Sequence, residues 1–326
     1  MFRIAMLSKW HVHGKRYVHE LSTIPEAKIT CVWDEVPERG AQWAAELNCD
    51  FEPQLDVTLA RKDVDGVVIT APTNKHKEVI IAAAKAGKHI FIEKTFTLTV
   101  SEALEAKKAV EEAKVKFCIV FPRRSNPEFA YGRMLYNKGE LGEISLLRIR
   151  NGIYVTSKST LPAYWFKKEQ TGGGAMMDLG CHPIYLAYWI LGEPESINST
   201  FTHIFNREVE DAAVCTIRFK NKGIAIVEST YNAPAFSTYN FEIYGTKGTY
   251  LAIDGCEKVS LKREDGKVEY LDVSSMPAFD PLPMKQWVDA CNGQGEIHCG
   301  IDEAVMLVRI MEAAYKAAEE NRTVNI

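Results

Sequence analysis

The sequence predicts two domains of different class, a doubly wound α/β half followed by an α+β half whose sheet is mainly antiparallel. Three observations carry this. The chain has 326 residues, beyond the size at which one hydrophobic core usually stops growing. Over the first third, short continuous apolar runs alternate with helically spaced segments. After Phe121 the pattern changes to strands of alternating polarity joined by short turns.

In order along the first part, RIAMLS reads as a strand and is followed by a helix beginning near Gly14. KITCVW, a helix through Glu38 to Leu47, GVVIT, and a helix from about Lys75 to Ala86 come next. HIFIE, a helix from about Val100 to Lys114, and KFCIVF complete the alternation. Apolar strands separated by helices imply a parallel sheet covered on both faces, a Rossmann-like domain over residues 1–121. Residues 122–326 form the expected second domain. There ISLLRIRNGIYV is a strand, and AAVCTIRF joins GIAIVEST through the turn Asn221-Lys222-Gly223. NFEIYGTKGTYLAI reads as a further hairpin, and Asp302 to Glu320 as a long closing helix.

A net charge of −4 with scattered basic residues offers no stripe for a polyanion, so neither nucleic acid nor an anionic membrane is an expected partner. No apolar window is long enough to span a bilayer, and the N-terminal run lacks a leader pattern. The eight cysteines form no CxxC pair and lie mostly within apolar runs, as reduced thiols of a cytoplasmic protein would. A small molecule is the expected partner.

In such a sheet the turn after the first strand meets a dinucleotide, its pyrophosphate at the next helix N-terminus. Here the turn runs Ser8-Lys9-Trp10-His11-Val12-His13-Gly14, with Ser8, Trp10 and His13 at the three glycine positions of GxGxxG. The Trp10 side chain must therefore swing away, or the loop must take another path. Asp34 ends the second strand where an acidic residue bonds adenosine ribose hydroxyls, and its alternative is an acidic turn or helix cap. With Glu35 it would repel a 2'-phosphate, so NAD is expected over NADP. No further ligand cluster has spacing compatible with His11-x-His13, so no metal site is expected.

Three motifs together resemble the glucose-fructose oxidoreductase and inositol dehydrogenase (Gfo/Idh/MocA) family. They are Thr70-Ala71-Pro72-Thr73-Asn74-Lys75-His76, Gly87-Lys88-His89-Ile90-Phe91-Ile92-Glu93-Lys94-Thr95, and Gly172-Gly173-Gly174-Ala175-Met176-Met177-Asp178-Leu179-Gly180-Cys181-His182-Pro183. FEIYGTKGTY and the ending ENRTVNI extend the likeness through nearly the whole chain. The resemblance implies a nicotinamide-dependent oxidoreductase of sugars, cyclitols or related polyols, with an open second sheet that makes dimer or tetramer contacts. The family pattern has EKP where this chain has Glu93-Lys94-Thr95, and a glycine-rich loop where it has Ser8 to His13.

By this resemblance His182 is the general base and Lys94 its partner at the carboxyl edge of the sheet. Asp178, four residues before His182, would bond substrate or orient the imidazole. Pro183 requires a break or a helix start nearby. Glu93 would anchor Lys94 or bond the nicotinamide ribose. Thr70, Pro72 and Thr73 are expected at the cofactor, whereas His76 either joins them or starts a helix facing solvent. Arg123, Arg124 and Asn126, with Tyr154, Tyr164, Trp165 and Tyr185, are candidates for a substrate pocket, each aromatic having core packing as its alternative. The triple glycine permits close backbone approach or forms a flexible loop. Redox-assisted glycoside cleavage with bound NAD, and a ligand-binding regulator without chemistry, are the competing functions.

Overall fold

A computed structural model describes residues 1–155, 161–233 and 239–326. The chain forms two compact units, Met1–Phe121 with Pro281–Val308, and Pro122–Asp280 with Arg309–Ile326.

The first unit alternates as its apolar runs predict. β1 (Phe2–Leu7), α1 (Gly14–Ser22), β2 (Ala27–Trp33), α2 (Pro37–Leu47), β3 (Asp50–Phe51) and α3 (Leu55–Ala60) are followed by β4 (Gly66–Ile69), α4 (His76–Lys85), β5 (His89–Ile92), α5 (Val100–Ala113) and β6 (Phe117–Ile119). The strands are parallel, in the order β3-β2-β1-β4-β5-β6. The order reverses between β1 and β4, the switch point outside which such sheets bind ligands. Val67, Val68 and Ile69 of β4 and Ile90, Phe91 and Ile92 of β5 are completely buried, as strands covered on both faces must be. Local signals set the helix ends. α2 opens on Pro37 and stops at Asn48 in the left-handed conformation, and the Thr99 hydroxyl caps α5 by accepting the Glu102 amide at 3.2 Å.

The second unit contains α6 (Pro127–Asn137), β7 (Ile144–Gly152), the short α7 (Lys168–Thr171), α8 (Cys181–Leu191), β8 (Pro194–Thr202), β9 (Ala212–Phe219) and β10 (Ile224–Thr230). β11 (Tyr239–Gly245), β12 (Gly248–Ile253), β13 (Lys258–Arg263) and β14 (Val268–Asp272) follow; after α9 (Pro283–Cys291), α10 (Ile301–Glu320) leads into β15 (Val324–Asn325). Among the described residues the strands run β14-β13-β12-β11-β7-β10-β9-β8-β15. All neighbours are antiparallel except β7 and β10, so the sheet is mixed. In β9 and β10 residues alternate between buried and accessible, which fits one face packed and one open.

One boundary after Phe121 does not describe the molecule, because Pro281–Val308 packs with the first unit. The buried Trp287 of α9 meets Phe2 edge-on at 5.1 Å and Phe91 at 5.7 Å, and the Cys299 carbonyl accepts the Ile119 amide at 2.9 Å. A short amphipathic helix carries no signal of which distant core it joins. All eight cysteines are free, and among the described residues no helix is long and apolar enough to cross a membrane.

Candidate active site

In the first unit, the residues singled out from sequence gather at the carboxyl ends of β1, β2, β4 and β5. Ser8, at the first glycine position, has φ +76°, the left-handed backbone that a glycine supplies without strain. The Trp10 indole is buried, so the side chain swings inward rather than standing over the turn. The loop spends its amides on itself and its neighbours. Trp10 N–H donates to Ser8 Oγ at 3.1 Å, His11 N–H to the Thr70 carbonyl at 3.0 Å, and His13 N–H to His11 Nδ1 at 3.2 Å. The Trp10 and His13 amides are thus held by side-chain acceptors rather than by backbone carbonyls. The left-handed turn, the switch point and the helix start at Gly14 therefore fit a dinucleotide.

Asp34 is buried and its carboxylate is heavily engaged. It accepts the Lys9 and Val36 amides, each at 2.8 Å, and the Arg39 guanidinium in a bidentate pair at 2.9 and 2.6 Å. The acidic-turn alternative thus describes much of what Asp34 does, and a ribose hydroxyl must share this carboxylate with Arg39. Arg39 also reaches Glu35 at 2.6 Å. No sequence signal pointed to Arg39, which lies one helical turn beyond the strand.

β5 delivers Glu93 and Lys94, both buried, and the Lys94-Thr95 peptide is cis although no proline follows. Glu93 Oε2 accepts the Tyr17 hydroxyl, lies 3.2 Å from His13 Nδ1 and is 3.6 Å from His11 Nδ1. Burial works to raise this carboxyl, but the fields of His11, His13 and Lys94 outweigh it and hold Glu93 well below the usual carboxylate range. Sequence spacing offered no further ligand beside His11-x-His13; in the fold Glu93 joins them, and one donor atom from each of the three lies within 4.8 Å of the others. Eighty residues separate Glu93 from His13, so spacing could not reveal it. His76 does not face solvent. It is buried, with Nδ1 3.0 Å from the carbonyls of Thr95 and Phe96 and Nε2 2.9 Å from that of Ala71, so it ties the exit of β4 to the segment after Lys94. Thr70 and Thr73 are buried beside this edge, and Pro72 caps the 3₁₀ turn that leads into α4.

In the second unit the glycine run makes close contacts. A Cβ on Gly173 would lie 1.8 Å from the Tyr315 hydroxyl, and one on Gly174 2.1 Å from the Glu210 carbonyl. The Gly174 and Met176 amides donate to the buried Glu210 carboxylate at 2.9 and 2.8 Å, and the Tyr315 hydroxyl donates to it at 2.8 Å. Glu210 thereby anchors the π-helical turn Met176–Gly180 that carries Asp178 and continues into α8. Pro183 follows the π-helical turn by three residues, so the irregularity that its ring and missing N–H require lies at this junction. Asp178 Oδ2 accepts the Tyr231 hydroxyl at 3.1 Å and the Trp165 indole N–H at 3.3 Å. Trp165 is buried and acts here by holding Asp178. His182 Nδ1 lies 3.0 Å from the Tyr185 hydroxyl, whose oxygen accepts the Arg123 amide at 3.1 Å.

The Arg123 side chain pairs with Asp254 at 2.8 Å and lies over the Tyr239 ring at 4.9 Å. Asn126 donates to Asp254 at 3.3 Å and to Glu128 at 3.2 Å. Burial raises the Glu128 carboxyl above its ordinary value. Arg124 is buried between Tyr185 and Trp189, at 5.9 and 5.6 Å from their rings. Tyr164 is part-buried in the 3₁₀ turn Ala163–Phe166, whereas Tyr154 is 57% exposed.

Residues 8–121 match the model "Oxidoreductase family, NAD-binding Rossmann fold", and residues 129–251 match the GFO/IDH/MocA C-terminal domain. A scyllo-inositol 2-dehydrogenase (NAD(+)) of Bacillus subtilis (strain 168) is 30% identical over 247 residues, 73% of this chain and 69% of the relative. The chain belongs to the Gfo/Idh/MocA family. A 2,7-anhydro-N-acetylneuraminate hydratase of Escherichia coli (strain K12) is 33% identical over 254 residues, 75% of this chain and 65% of the relative. The solved levoglucosan dehydrogenase complex with NADH and levoglucosan has the same fold, with a TM-score of 0.87 at 21% identity, covering 100% of this chain and 99% of that one.

Against the Gfo/Idh/MocA pattern, the two departures noted in the sequence have different outcomes. Thr95 in place of proline leaves a cis peptide after Lys94. The loop from Ser8 to His13 keeps the left-handed start but substitutes buried side chains for bare backbone. Tyr17, Arg39, Glu128, Glu210, Tyr231 and Asp254 were all missed. Tyr17 alone had a usable signal, since it follows His13 by four positions and so shares its helix face.

Proposed function

We propose that this Gfo/Idh/MocA protein is an NAD-dependent dehydrogenase of a sugar, cyclitol or related polyol, with Lys94 and His182 as its acid/base pair. The observation that carries the reading is Lys94 itself, an ammonium 4% exposed at the carboxyl end of β5. Burying such a charge is costly unless it is compensated, as the neighbouring Glu93 carboxylate does here, and an ammonium so placed can also stabilise a reacting oxygen that gains negative charge. The similarity to an inositol dehydrogenase, and the shared fold of a levoglucosan dehydrogenase, support a polyhydroxylated substrate.

The nicotinamide, when bound, accepts or returns the hydride. The chain's residues handle the proton. For oxidation, His182 must present a lone pair at Nε2, which requires Nδ1 to hold the proton and donate it to the Tyr185 oxygen. Lys94 lowers the pKa of the substrate hydroxyl and stabilises the developing alkoxide. Asp178, held by Trp165 and Tyr231, fixes a neighbouring hydroxyl, and Arg123 and Asn126 present further polar groups. Asp34 and Glu35 disfavour a 2'-phosphate, so NAD is the proposed coenzyme. The accessible sheet face carries Val214, Leu251 and Ile253, which supports assembly as a homo-oligomer.

A second reading is favoured by the similarity to a hydratase. There, transient oxidation of one carbon acidifies its neighbour, a substituent is eliminated, and the hydride returns. Absorbance of NADH during turnover of a panel of inositols, aldoses and anhydrosugars tests the choice. A dehydrogenase accumulates NADH in proportion to product, whereas product without NADH supports the second reading. Neither product nor NADH from any member would contradict both.

A further inference from the structure

We propose that Arg207 forms a carboxylate subsite next to the aromatic residues that hold Asp178, and that the substrate taken by the second unit is a sugar acid. The inference deepens the reading of a polyhydroxylated substrate and rests on it. Arg207 lies in the segment that joins β8 to β9. Its guanidinium carbon stands over the Phe166 ring at 4.1 Å and over the Phe205 ring at 4.9 Å. A planar guanidinium held against ring faces keeps its N–H donors at its edge, the geometry that grips a carboxylate through two parallel hydrogen bonds.

Those donors are not used up within the chain. Among the described residues the guanidinium has one polar contact, Nη1 to Asp211 Oδ1 at 3.4 Å. Charge-assisted hydrogen bonds close to about 2.7–2.9 Å, and the Arg39–Asp34 pair of this chain has 2.9 and 2.6 Å. Asp211 is committed elsewhere: it is buried, and its Oδ2 accepts the Ile204 and Phe205 amides at 2.7 and 2.8 Å. It holds the segment in place and leaves most of the guanidinium N–H groups for another acceptor. The Arg207 side chain is 17% exposed, so its charge is largely withdrawn from water while an edge stays within reach of a ligand.

The surroundings name the class of ligand. Phe166 meets the Tyr231 ring edge-on at 6.0 Å and packs on the buried cluster of Val155, Ala175, Leu179 and Tyr231. The Tyr231 hydroxyl and the indole of Trp165, the residue before Phe166, both donate to Asp178 Oδ2. A donor fork, aromatic rings and a carboxylate thus follow one another within one unit. The rings suit the C–H face of a sugar, Asp178 suits a hydroxyl, and Arg207 suits an anionic group. Asp178 repels a carboxylate and so turns that end of the substrate toward Arg207. A phosphate dianion fits less well, because Lys167, the residue after Phe166, is paired with Glu208 and adds no net charge.

The test measures binding to the full chain by calorimetry, with and without NADH, comparing glucuronate with glucose and galacturonate with galactose. Each uronate should bind about tenfold or more tightly than its neutral counterpart, the scale of one charged hydrogen-bonded pair. Arg207→Met keeps an apolar stem against Phe166 and removes the donors, so it should bring the ratio close to one. Arg207→Lys keeps the charge without the fork and should retain only part of the preference. A thermal melt checks that each variant is folded, and Arg207→Lys decides if Arg207→Met is not. Uronates that fail to bind, that bind no tighter than neutral sugars, or that keep the full ratio in Arg207→Lys would each overturn the proposal. Because binding is read without turnover, this failure is distinguishable from failure of the dehydrogenase reading, under which neutral polyols still reduce NAD.

Discussion

Lys94 and His182 sit in surroundings that differ in what they ask of each group. Lys94 is surrounded by protein and adjoins Glu93, whereas His182 has its Nδ1 against a tyrosine hydroxyl that is itself held by the Arg123 amide. The tyrosine hydroxyl fixes the direction of the imidazole, and burial confines the ammonium; under the proposed function, groups held in this way accelerate proton transfer. Lys94→Ala and His182→Ala should therefore each slow turnover by on the order of a hundredfold or more. NADH affinity, followed by fluorescence titration, should change little. Full activity of either variant on the true substrate removes that residue from the mechanism. The identity of these two residues was legible because each lies in a contiguous motif. Asp178 was legible too, but its grip by Tyr231 was not, since 53 residues and a sheet intervene.

At the scale of elements, the exits of β4 and β5 are joined by one imidazole. His76, at the start of α4, has carbonyl oxygens on both ring nitrogens and no contact with water. Burial lowers its pKa from the ordinary value of 6.5, although the three carbonyls pull the other way. The folded protein then binds this proton less readily than the unfolded chain does. Stability contributed here is present above about pH 6.5 and is lost as pH falls toward the depressed folded value, at up to about 1.4 kcal/mol per pH unit. The melting temperature should fall between pH 7 and pH 5.5, and His76→Gln should flatten part of that slope. A slope unchanged in the variant would show that His76 is not the group responsible. Burial lowers half-buried His89 in the same direction, so it adds to the slope. The strands and helices of this half were readable because doubly buried strands write continuous apolar runs. The direction of His76 was not, because a histidine before a helix reads alike whether it turns in or out. Glu210 left no mark at all: a lone acidic residue in a polar stretch reveals nothing about the Gly174 and Met176 amides it serves.

Considered whole, the chain builds the parallel sheet first, then the mixed sheet, and returns Pro281–Val308 to the first core before α10 ends. The switch point between β1 and β4 and the turn carrying Asp178 are consequences of strand order and of Glu210, respectively. The two classes and most strands of the first half were therefore accessible from alternation, whereas β3, β8, β13, β14 and β15 were not read. The returning segment and the parallel β7–β10 pairing depend on contacts between distant residues and were not.

The central claim is that hydride moves between a substrate carbon and a nicotinamide under the control of Lys94 and His182. Its most direct test is isotopic: incubation with NAD and polyols deuterated at each carbinol carbon, followed by mass spectrometry of the coenzyme. The account predicts NADD formed one for one with oxidised product, from a single labelled carbon, and strongly slowed in Lys94→Ala and His182→Ala. Product that appears while the deuterium is never carried by the coenzyme, even in a single turnover, would contradict it.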